Sequence, residues 1–251
     1  LTAVSGTSLL TCQSNRFIDN SSNNFTLTVN GNTSVQRFSP FNPTAPYSTA
    51  TIGGSGYFDG TGDYLNTPST GQFAPAGDFT VSCWYYPTSL PAAFNTIIAN
   101  YTGNNATDWL VTVTSSGEAK YYTNGASARI SSATGVVKLN QWNYFSMSRS
   151  GTTITGYVNG SSIGTYTQSG TFGSATKTIT IGQTPIGTEP VTGYLADVKL
   201  IDGSAVTTVP TAPQTATTGT NLLLSFTNAG IPDAAMMNNL ETVGNAQVST
   251  S

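Results

Sequence analysis

The stretch "FTVSCWYY" (Phe79–Tyr86) contains the clearest structural signal in the chain, an alternation of side-chain types along its whole length. A period of two places successive side chains on opposite faces of a β-strand. One face carries Phe79, Val81, Cys83 and Tyr85, and the other carries Thr80, Ser82, Trp84 and Tyr86. Because both faces carry aromatic rings, we expect a central strand with one face in the core and the other on a concave surface or under a loop.

The rest of the chain repeats this pattern in short apolar runs that are bounded by Gly, Asn, Pro or Ser, as in strands separated by turns. Further strands are predicted at 96–100, 109–114, 142–150, 177–182 and 194–201. The dipeptides Asn30-Gly31 and Asn159-Gly160 each separate two alternating arms and predict hairpins with type I′ turns. The sequence therefore predicts an all-β fold, a two-sheet antiparallel β-sandwich with almost no helix.

The composition indicates a folded protein with a neutral surface. Charged residues make up 8% of the 251 residues, far below the roughly 25% of ordinary domains, and the net charge is −3. The 8 Lys and Arg residues are scattered, so nucleic acid is not expected as a partner, and no apolar run suits membrane insertion. Cys12 and Cys83 leave one disulfide or two reduced, buried thiols open, and the reduced state is favoured.

The end of the chain repeats its beginning. "GTNLLLSFTNAGIPDAAMMNNLETVGNAQVSTS" (Gly219–Ser251) matches "GTSLLTCQSNRFIDNSSNNFTLTVNGNTSVQ" (Gly6–Gln36) with small gaps. We therefore predict a sandwich over residues 1–208, a Thr/Pro/Ala-rich linker or strap over 209–220, and a partial repeat over 221–251. Either the chain is part of a tandem array, which we favour, or the last segment packs beside the first unit. In both cases "LLLSF" should dock on this domain or on a neighbouring subunit.

Four motifs in order resemble those of the laminin-G-like, concanavalin A-like lectin/glucanase family. They are "GYFDGTGDYLNTP" (Gly56–Pro68), "FTVSCWYYP" (Phe79–Pro87), "WNYFSMSRSGTTITGYVNG" (Trp142–Gly160) and "GYLADVKLIDGSAVT" (Gly193–Thr207). The resemblance covers roughly Gly6 to Thr208 and implies a jelly-roll sandwich. The repeated segments, in addition, resemble the style of structural proteins from marine bacteriophages, cyanophages in particular.

The sequence offers little for catalysis. There is no histidine, which excludes Ser/His/Asp and Cys/His systems, and the Glu-x-Asp-x-Glu strand of the family's glucanases is missing. Asp59 and Asp63 flank Gly60-Thr61-Gly62, a spacing that predicts a tight turn in which Asx side chains bond backbone N–H groups. We therefore expect a protein that is not an enzyme.

Sugar binding is the common use of the resembling fold, and aromatic rings with nearby amides or carboxylates are its usual groups. The predicted glycan-binding residues are Trp84, Tyr86, Asn100, Asn104, Asn105, Asp108, Trp109, Tyr121 and Tyr122. Calcium is the one cofactor that the sequence leaves open, because related sandwiches often bind it through loop oxygens. Its predicted ligands are Asp19, Asn24, Asp63 and Asp197.

These observations predict a non-catalytic module of a phage virion structural protein, such as a tail fibre, an adhesin or a capsid decoration. Its expected partners are host-surface polysaccharide and other virion subunits, in a homo-oligomer, and its expected location is the particle surface or, alternatively, the extracellular space. Two alternatives stay open. One is a purely structural assembly module without glycan binding, and the other is a divergent glycoside hydrolase.

Overall fold

The structure is a computed structural model that describes residues 17, 21, 23, 25–36, 40, 53–69, 71–103, 108–123 and 127–226, and the backbone of 231–232 and 239–240. In the described part the one helical element is a 3₁₀ turn at Gly71–Phe73. The strands are β1 (Thr28–Asn30), β2 (Ser34–Gln36), β3 (Ser55–Asp59), β4 (Tyr64–Asn66), β5 (Phe79–Ser89), β6 (Phe94–Asn100), β7 (Trp109–Thr114), β8 (Ala119–Thr123), β9 (Ala128–Ser131), β10 (Asn143–Ser150), β11 (Thr153–Val158), β12 (Ser161–Thr167), β13 (Thr180–Ile181), β14 (Thr192–Asp202), β15 (Thr220–Leu224), β16 (Ile231–Pro232) and β17 (Asn239–Leu240).

Two large antiparallel sheets form the sandwich, which confirms the predicted fold, and β16 pairs with β17 in a separate two-stranded sheet. The seven-stranded sheet has the order β1-β4-β13-β6-β7-β8-β9, and the eight-stranded sheet has the order β12-β11-β10-β5-β14-β3-β2, with β15 also paired to β14. The strand predicted from "FTVSCWYY" lies centrally, between β10 and β14, as expected. Among the described residues, no helix is long and apolar enough to cross a membrane.

The core lies between the sheets and is rich in aromatic rings. Phe172 stacks on Phe79 at 4.2 Å and on Trp109 at 5.2 Å between ring centroids. Burial of large rings supplies much of the apolar area that a chain with so few aliphatic runs can remove from water. Cys83 is a free thiol in this core, and burial raises its pKa. Cys12 lies outside the described residues.

The two Asn-Gly dipeptides behave differently. Asn159 and Gly160 join β11 to β12 with φ of 50° and 80°, so the predicted type I′ hairpin is confirmed. The hairpin predicted at Asn30-Gly31 is wrong, because β1 pairs with β4 in one sheet and β2 pairs with β3 in the other. Asn30-Gly31 is therefore a corner at which the chain changes sheets.

The segment after β14 crosses the outer face of the eight-stranded sheet, meaning the face that points away from the core. We call residues 203–219 the strap, a range that includes most of the linker predicted at 209–220. Its middle contacts the β11–β12 hairpin, since a side chain at Gly160 would meet Cγ2 of Val209 at 3.0 Å. Its end leads into β15, which pairs with the second half of β14.

Candidate functional site

Six aromatic side chains lie near one another on the outer face of the eight-stranded sheet, and we call them the aromatic band. Its members are Tyr57, Trp84, Tyr86, Trp142, Tyr144 and Tyr194. They lie on or beside β10, β5, β14 and β3, which are neighbours in that order. The band thus crosses four strands, a span of about 14 Å at the usual strand spacing.

Strand alternation and register together build the band. Trp84 and Tyr86 point outward because the residue between them, Tyr85, points into the core. Trp84 lies opposite Tyr144 in the register, and Tyr86 lies opposite Tyr194. Tyr194 in turn lies opposite Tyr57 on β3. Directly opposed residues on one sheet face are close enough for their side chains to pack against each other.

Two ring contacts of the band are edge to face, and the other two are tilted. The centroid distances and angles between ring planes are 5.0 Å and 52° for Trp84–Tyr144, 5.6 Å and 65° for Tyr86–Trp142, 6.1 Å and 79° for Tyr86–Tyr194, and 5.1 Å and 48° for Tyr57–Tyr194. Tyr144 is buried, whereas the other five rings are half-buried. The band therefore presents tilted rings rather than one flat plate.

The band carries no formal charge near neutral pH. Burial raises the pKa of Tyr144 to about 12, against a small opposing effect of its hydrogen bond with Ser82. Burial also raises the pKa of Tyr194, with smaller contributions from Tyr57 and Tyr86. The phenols of Tyr144 and Tyr194 are therefore protonated and can donate hydrogen bonds.

The strap covers the sheet beside the band and so sets its boundary. Thr80 Oγ1 donates to the Ser204 carbonyl at 2.8 Å and accepts the Val206 N–H at 2.8 Å. Lys199 Nζ donates to the Thr215 carbonyl, also at 2.8 Å. Since Thr80 and Trp84 share one face of β5, the strap covers one end of that face and the band occupies the other.

Asp197 ties the strap to β14 from a buried position. Its φ of 47° marks a β-bulge between Ala196 and Lys199, which turns the carboxylate toward the strap. Oδ2 accepts the backbone N–H of Gln214 at 3.0 Å. Burial raises the pKa of this carboxyl to about 7, against the opposing effects of the Gln214 hydrogen bond and the Lys199 charge.

The loop residues predicted to bind glycan are structural where they are described. Asn100 is fully buried and its amide donates to the carbonyls of Lys177 and Thr178 at 3.3 and 3.2 Å. Asp108 forms a buried ion pair with Lys177 and accepts backbone N–H groups of its own loop. These contacts leave neither side chain facing solvent. Asn104 and Asn105 lie outside the described residues.

The structure corrects the expectation for two aromatic candidates. Trp109 and Tyr121 lie between the sheets, 1% and 0% exposed, and Tyr121 donates from its hydroxyl to the Tyr157 carbonyl at 2.6 Å. Their rings are core packing groups, so neither presents a face to a ligand. Tyr122 points away from the core on the seven-stranded sheet, half-buried beside Phe94 at 6.5 Å. It is therefore separated from the aromatic band by the thickness of the sandwich.

The Asp59/Asp63 turn forms as predicted. Asp63 Oδ2 accepts the Asp59 N–H at 2.9 Å, and Asp59 Oδ1 accepts the Thr61 N–H at 2.7 Å. Asp63 Oδ1 also accepts the N–H of Asn32, from the corner between β1 and β2. Burial raises the pKa of Asp63, and the two backbone hydrogen bonds partly offset this effect. This carboxylate joins two corners of the sandwich.

The described half of the predicted calcium set does not converge. Asp63 and Asp197 lie on different elements, and each carboxylate accepts backbone N–H groups. Among the described residues, no group of three or more Asp, Glu, Cys or His side chains is placed to hold a metal ion. Asp19 and Asn24 lie outside that part of the chain, so a site that includes them stays a prediction.

Sequence reasoning found Trp84 and Tyr86 but missed the other members of the band. Trp142, Tyr144 and Tyr194 lie in strands that the sequence predicted, at 142–150 and 194–201. The signal that was missing is the register, because strands distant in sequence place these rings side by side.

Comparison with known families agrees with this architecture. A model described as the concanavalin A-like lectin/glucanases superfamily matches residues 59–208, which is more than half of the chain. The chain belongs to this superfamily. No curated protein matched the chain significantly.

Solved structures share the sandwich of the concanavalin A-like superfamily at low identity. The heptameric SAP-like pentraxin from Limulus polyphemus is 21% identical, with a TM-score of 0.50, and the match covers 71% of this chain and 90% of that one. Domain 4 of AbnA, a GH43 extracellular arabinanase from Geobacillus stearothermophilus, is 16% identical, with a TM-score of 0.47, covering 69% of this chain and 84% of that one. At such identities the similarity concerns the fold alone.

Proposed function

We propose that this protein is a non-catalytic module that binds polysaccharide through its aromatic band. The observation that carries the proposal is the band itself, a row of half-buried Tyr and Trp rings across four strands. The C–H face of a pyranose packs on such rings, and phenol groups can supply hydrogen bonds. The superfamily, whose description names lectins, is consistent with this ligand class.

The geometry of the band favours single polysaccharide chains over flat crystalline surfaces. Neighbouring ring planes are inclined by at least 48°, so they cannot all contact one flat surface at once. A twisted chain presents sugar faces in changing directions and can meet successive tilted rings. A span of about 14 Å suits an oligosaccharide segment rather than one sugar.

The buried carboxylates support a binding role rather than a hydrolytic one. In the described part of the chain they are Asp63, Asp108 and Asp197, and each accepts backbone N–H groups. Glycoside hydrolysis needs two carboxyl groups that can face one sugar linkage. Side chains that hold turns, a loop and the strap together are not available for that task.

Binding can be tested by screening soluble polysaccharides with the wild type and three single variants. We expect Tyr86→Ala and Tyr194→Ala to abolish binding while a cooperative thermal unfolding transition remains. Tyr122→Ala removes an equally half-buried ring from the other sheet and should bind like the wild type. Binding lost in Tyr122→Ala and kept in the two band variants would contradict the proposal.

We further propose that the module belongs to a virion structural protein and is displayed on the particle surface. The support is the resemblance of its repeated segments to bacteriophage structural proteins, together with a surface of few charges, which favours close packing between subunits. Antibodies against this chain, applied to intact virus particles, test this proposal. Label at fibre tips indicates adhesion, a regular lattice of label indicates decoration, and unlabelled particles would contradict it.

A further inference from the structure

The second half of β14 forms an edge that β15 fills. Leu200 lies opposite Leu222 and Val198 lies opposite Leu224 in the register. Leu222, Leu224 and Phe226 are at most 2% exposed and belong to the same core as the two sheets. The first unit of the sequence repeat is therefore completed by the opening strand of the second. We call this edge, Val198–Ile201, the β14 slot.

A glycine and a threonine begin the strand that fills the slot, and the contacts at this point favour both residue types. Gly219 has a φ of 81°, and a side chain there would collide with the Asp202 carbonyl. Its own carbonyl accepts the Asp202 N–H at 2.8 Å. Thr220 follows, 3% exposed, and its Oγ1 accepts the Thr217 N–H at 2.9 Å. Glycine is required by backbone conformation and space, and the threonine hydroxyl accepts a hydrogen bond from the end of the strap.

The N-terminal copy of the repeat keeps the residues at the start of the strand that fills the slot. Gly6–Gln13 aligns with Gly219–Phe226 as "GTSLLTCQ" against "GTNLLLSF", so the glycine, the threonine and both central leucines are identical. The third position differs, and there the Asn221 amide lies outside the core and donates to the Gln72 carbonyl at 2.7 Å. The identities therefore include the first core-facing leucine, whereas Thr11 and Gln13 stand at the two later core-facing positions, Leu224 and Phe226.

We propose that the β14 slot accepts the opening strand of a repeat unit, and that Gly6–Gln13 is such a strand for the slot of a second copy of this chain. The donor and the slot are different parts of the chain, so the contact between copies is heterologous. In Gly6–Gln13, Thr11 and Gln13 stand in place of the buried Leu224 and Phe226, so β15 buries more apolar surface in the slot. The second copy therefore enters a slot only after β15 has left it. The slot lies apart from the aromatic band, and the inference does not depend on glycan binding.

The first experiment opens the slot in the full chain with Leu222→Asp and Leu224→Asp. Fluorescence anisotropy with labelled peptides of residues 218–227 and 5–14 should show that both bind. The 5–14 peptide should bind at least about tenfold more weakly, since it buries less apolar surface. The same peptides with Leu222→Asp or Leu9→Asp should not bind. If the variant is folded and neither wild-type peptide binds, the proposal is wrong.

The opened variant should also join copies by itself. Light scattering should show oligomers that grow with concentration, because each chain carries a donor strand and an empty slot. Adding Leu9→Asp to the same variant should return it to the size of the wild type. Oligomers of equal size with and without Leu9→Asp would overturn the assignment of Gly6–Gln13 as the donor.

A second experiment does not need an empty slot. Asn221→Ser, Leu224→Thr, Ser225→Cys and Phe226→Gln convert β15 in the full chain into the N-terminal copy. Amide hydrogen exchange should still protect residues 220–224, although less than in the wild type. Leu222→Asp alone should remove this protection. If the converted strand exchanges as fast as that control, Gly6–Gln13 does not fit the slot.

Discussion

Beneath the strap, the Asp197 carboxyl is removed from water, and this burial raises its pKa from the ordinary 3.8 to about 7. Between these two values the folded protein keeps a proton that the unfolded chain releases. The contribution of this proton to the unfolding free energy is therefore fully present below pH 3.8 and is lost as the pH rises through 7. Asp197 thus makes the attachment of the strap weaker at neutral and alkaline pH than in mild acid.

We predict that Asp197→Asn flattens this pH dependence. An amide cannot ionise, and its oxygen can still accept the Gln214 N–H. The unfolding free energy of the variant, relative to the wild type, should increase by up to about 4 kcal/mol between about pH 4 and about pH 8. Urea unfolding at a series of pH values measures this difference. Parallel pH profiles for the two proteins would show that Asp197 does not titrate in this range.

The calcium hypothesis is tested at the same residues by metal removal. Because Asp63 and Asp197 already bond backbone N–H groups, we expect melting temperatures in excess chelator and in millimolar calcium to agree within about 1 °C. A rise of several degrees with calcium, but not with magnesium, would reveal a site that includes Asp19 or Asn24.

At the scale of elements, the Asn-Gly pairs show what a sequence can predict. Both favour a chain reversal, because both allow positive φ. At Asn159-Gly160 the flanking strands pair with each other, whereas at Asn30-Gly31 each arm pairs with a strand from another part of the chain. Local turn chemistry was thus predictable. The choice of partner strand depends on packing against the corner at Asp63. This contact is distant in sequence, so no local pattern predicts it.

This corner predicts a difference between two glycines with similar backbone conformations. Gly31 has a φ of 72° and a side chain there would lie 2.7 Å from the Gly62 carbonyl oxygen, whereas Gly62 has a φ of 75° and open space around it. Gly62→Ala should therefore cost only the conformational term, about 1 kcal/mol. Gly31→Ala should cost at least about 2 kcal/mol more, because backbone atoms must move. Denaturant unfolding measures both, and equal losses would mean that the corners do not pack.

At the scale of the whole molecule, alternation predicted the two sheets but not which face of each strand meets the core. Trp84 and Trp109 are both strand tryptophans, yet one faces outward and the other stacks on Phe172. Only the completed sandwich separates them, since inside and outside are defined by the second sheet. The site could therefore be predicted as a set of aromatic residues and not as a surface.

The low charge of the molecule leads to a prediction about its ligand. The band residues carry no formal charge, and the chain has 8 basic and 11 acidic residues in all. Binding should then rest on ring packing and neutral hydrogen bonds, which salt hardly screens. Raising the salt concentration from about 0.05 M to about 0.5 M should change the Kd for a bound polysaccharide by less than about twofold, whereas a contact based on charge pairs would weaken by about tenfold or more. Isothermal titration at the two concentrations separates these cases. A strong salt dependence that survives Tyr86→Ala would place the binding surface outside the aromatic band.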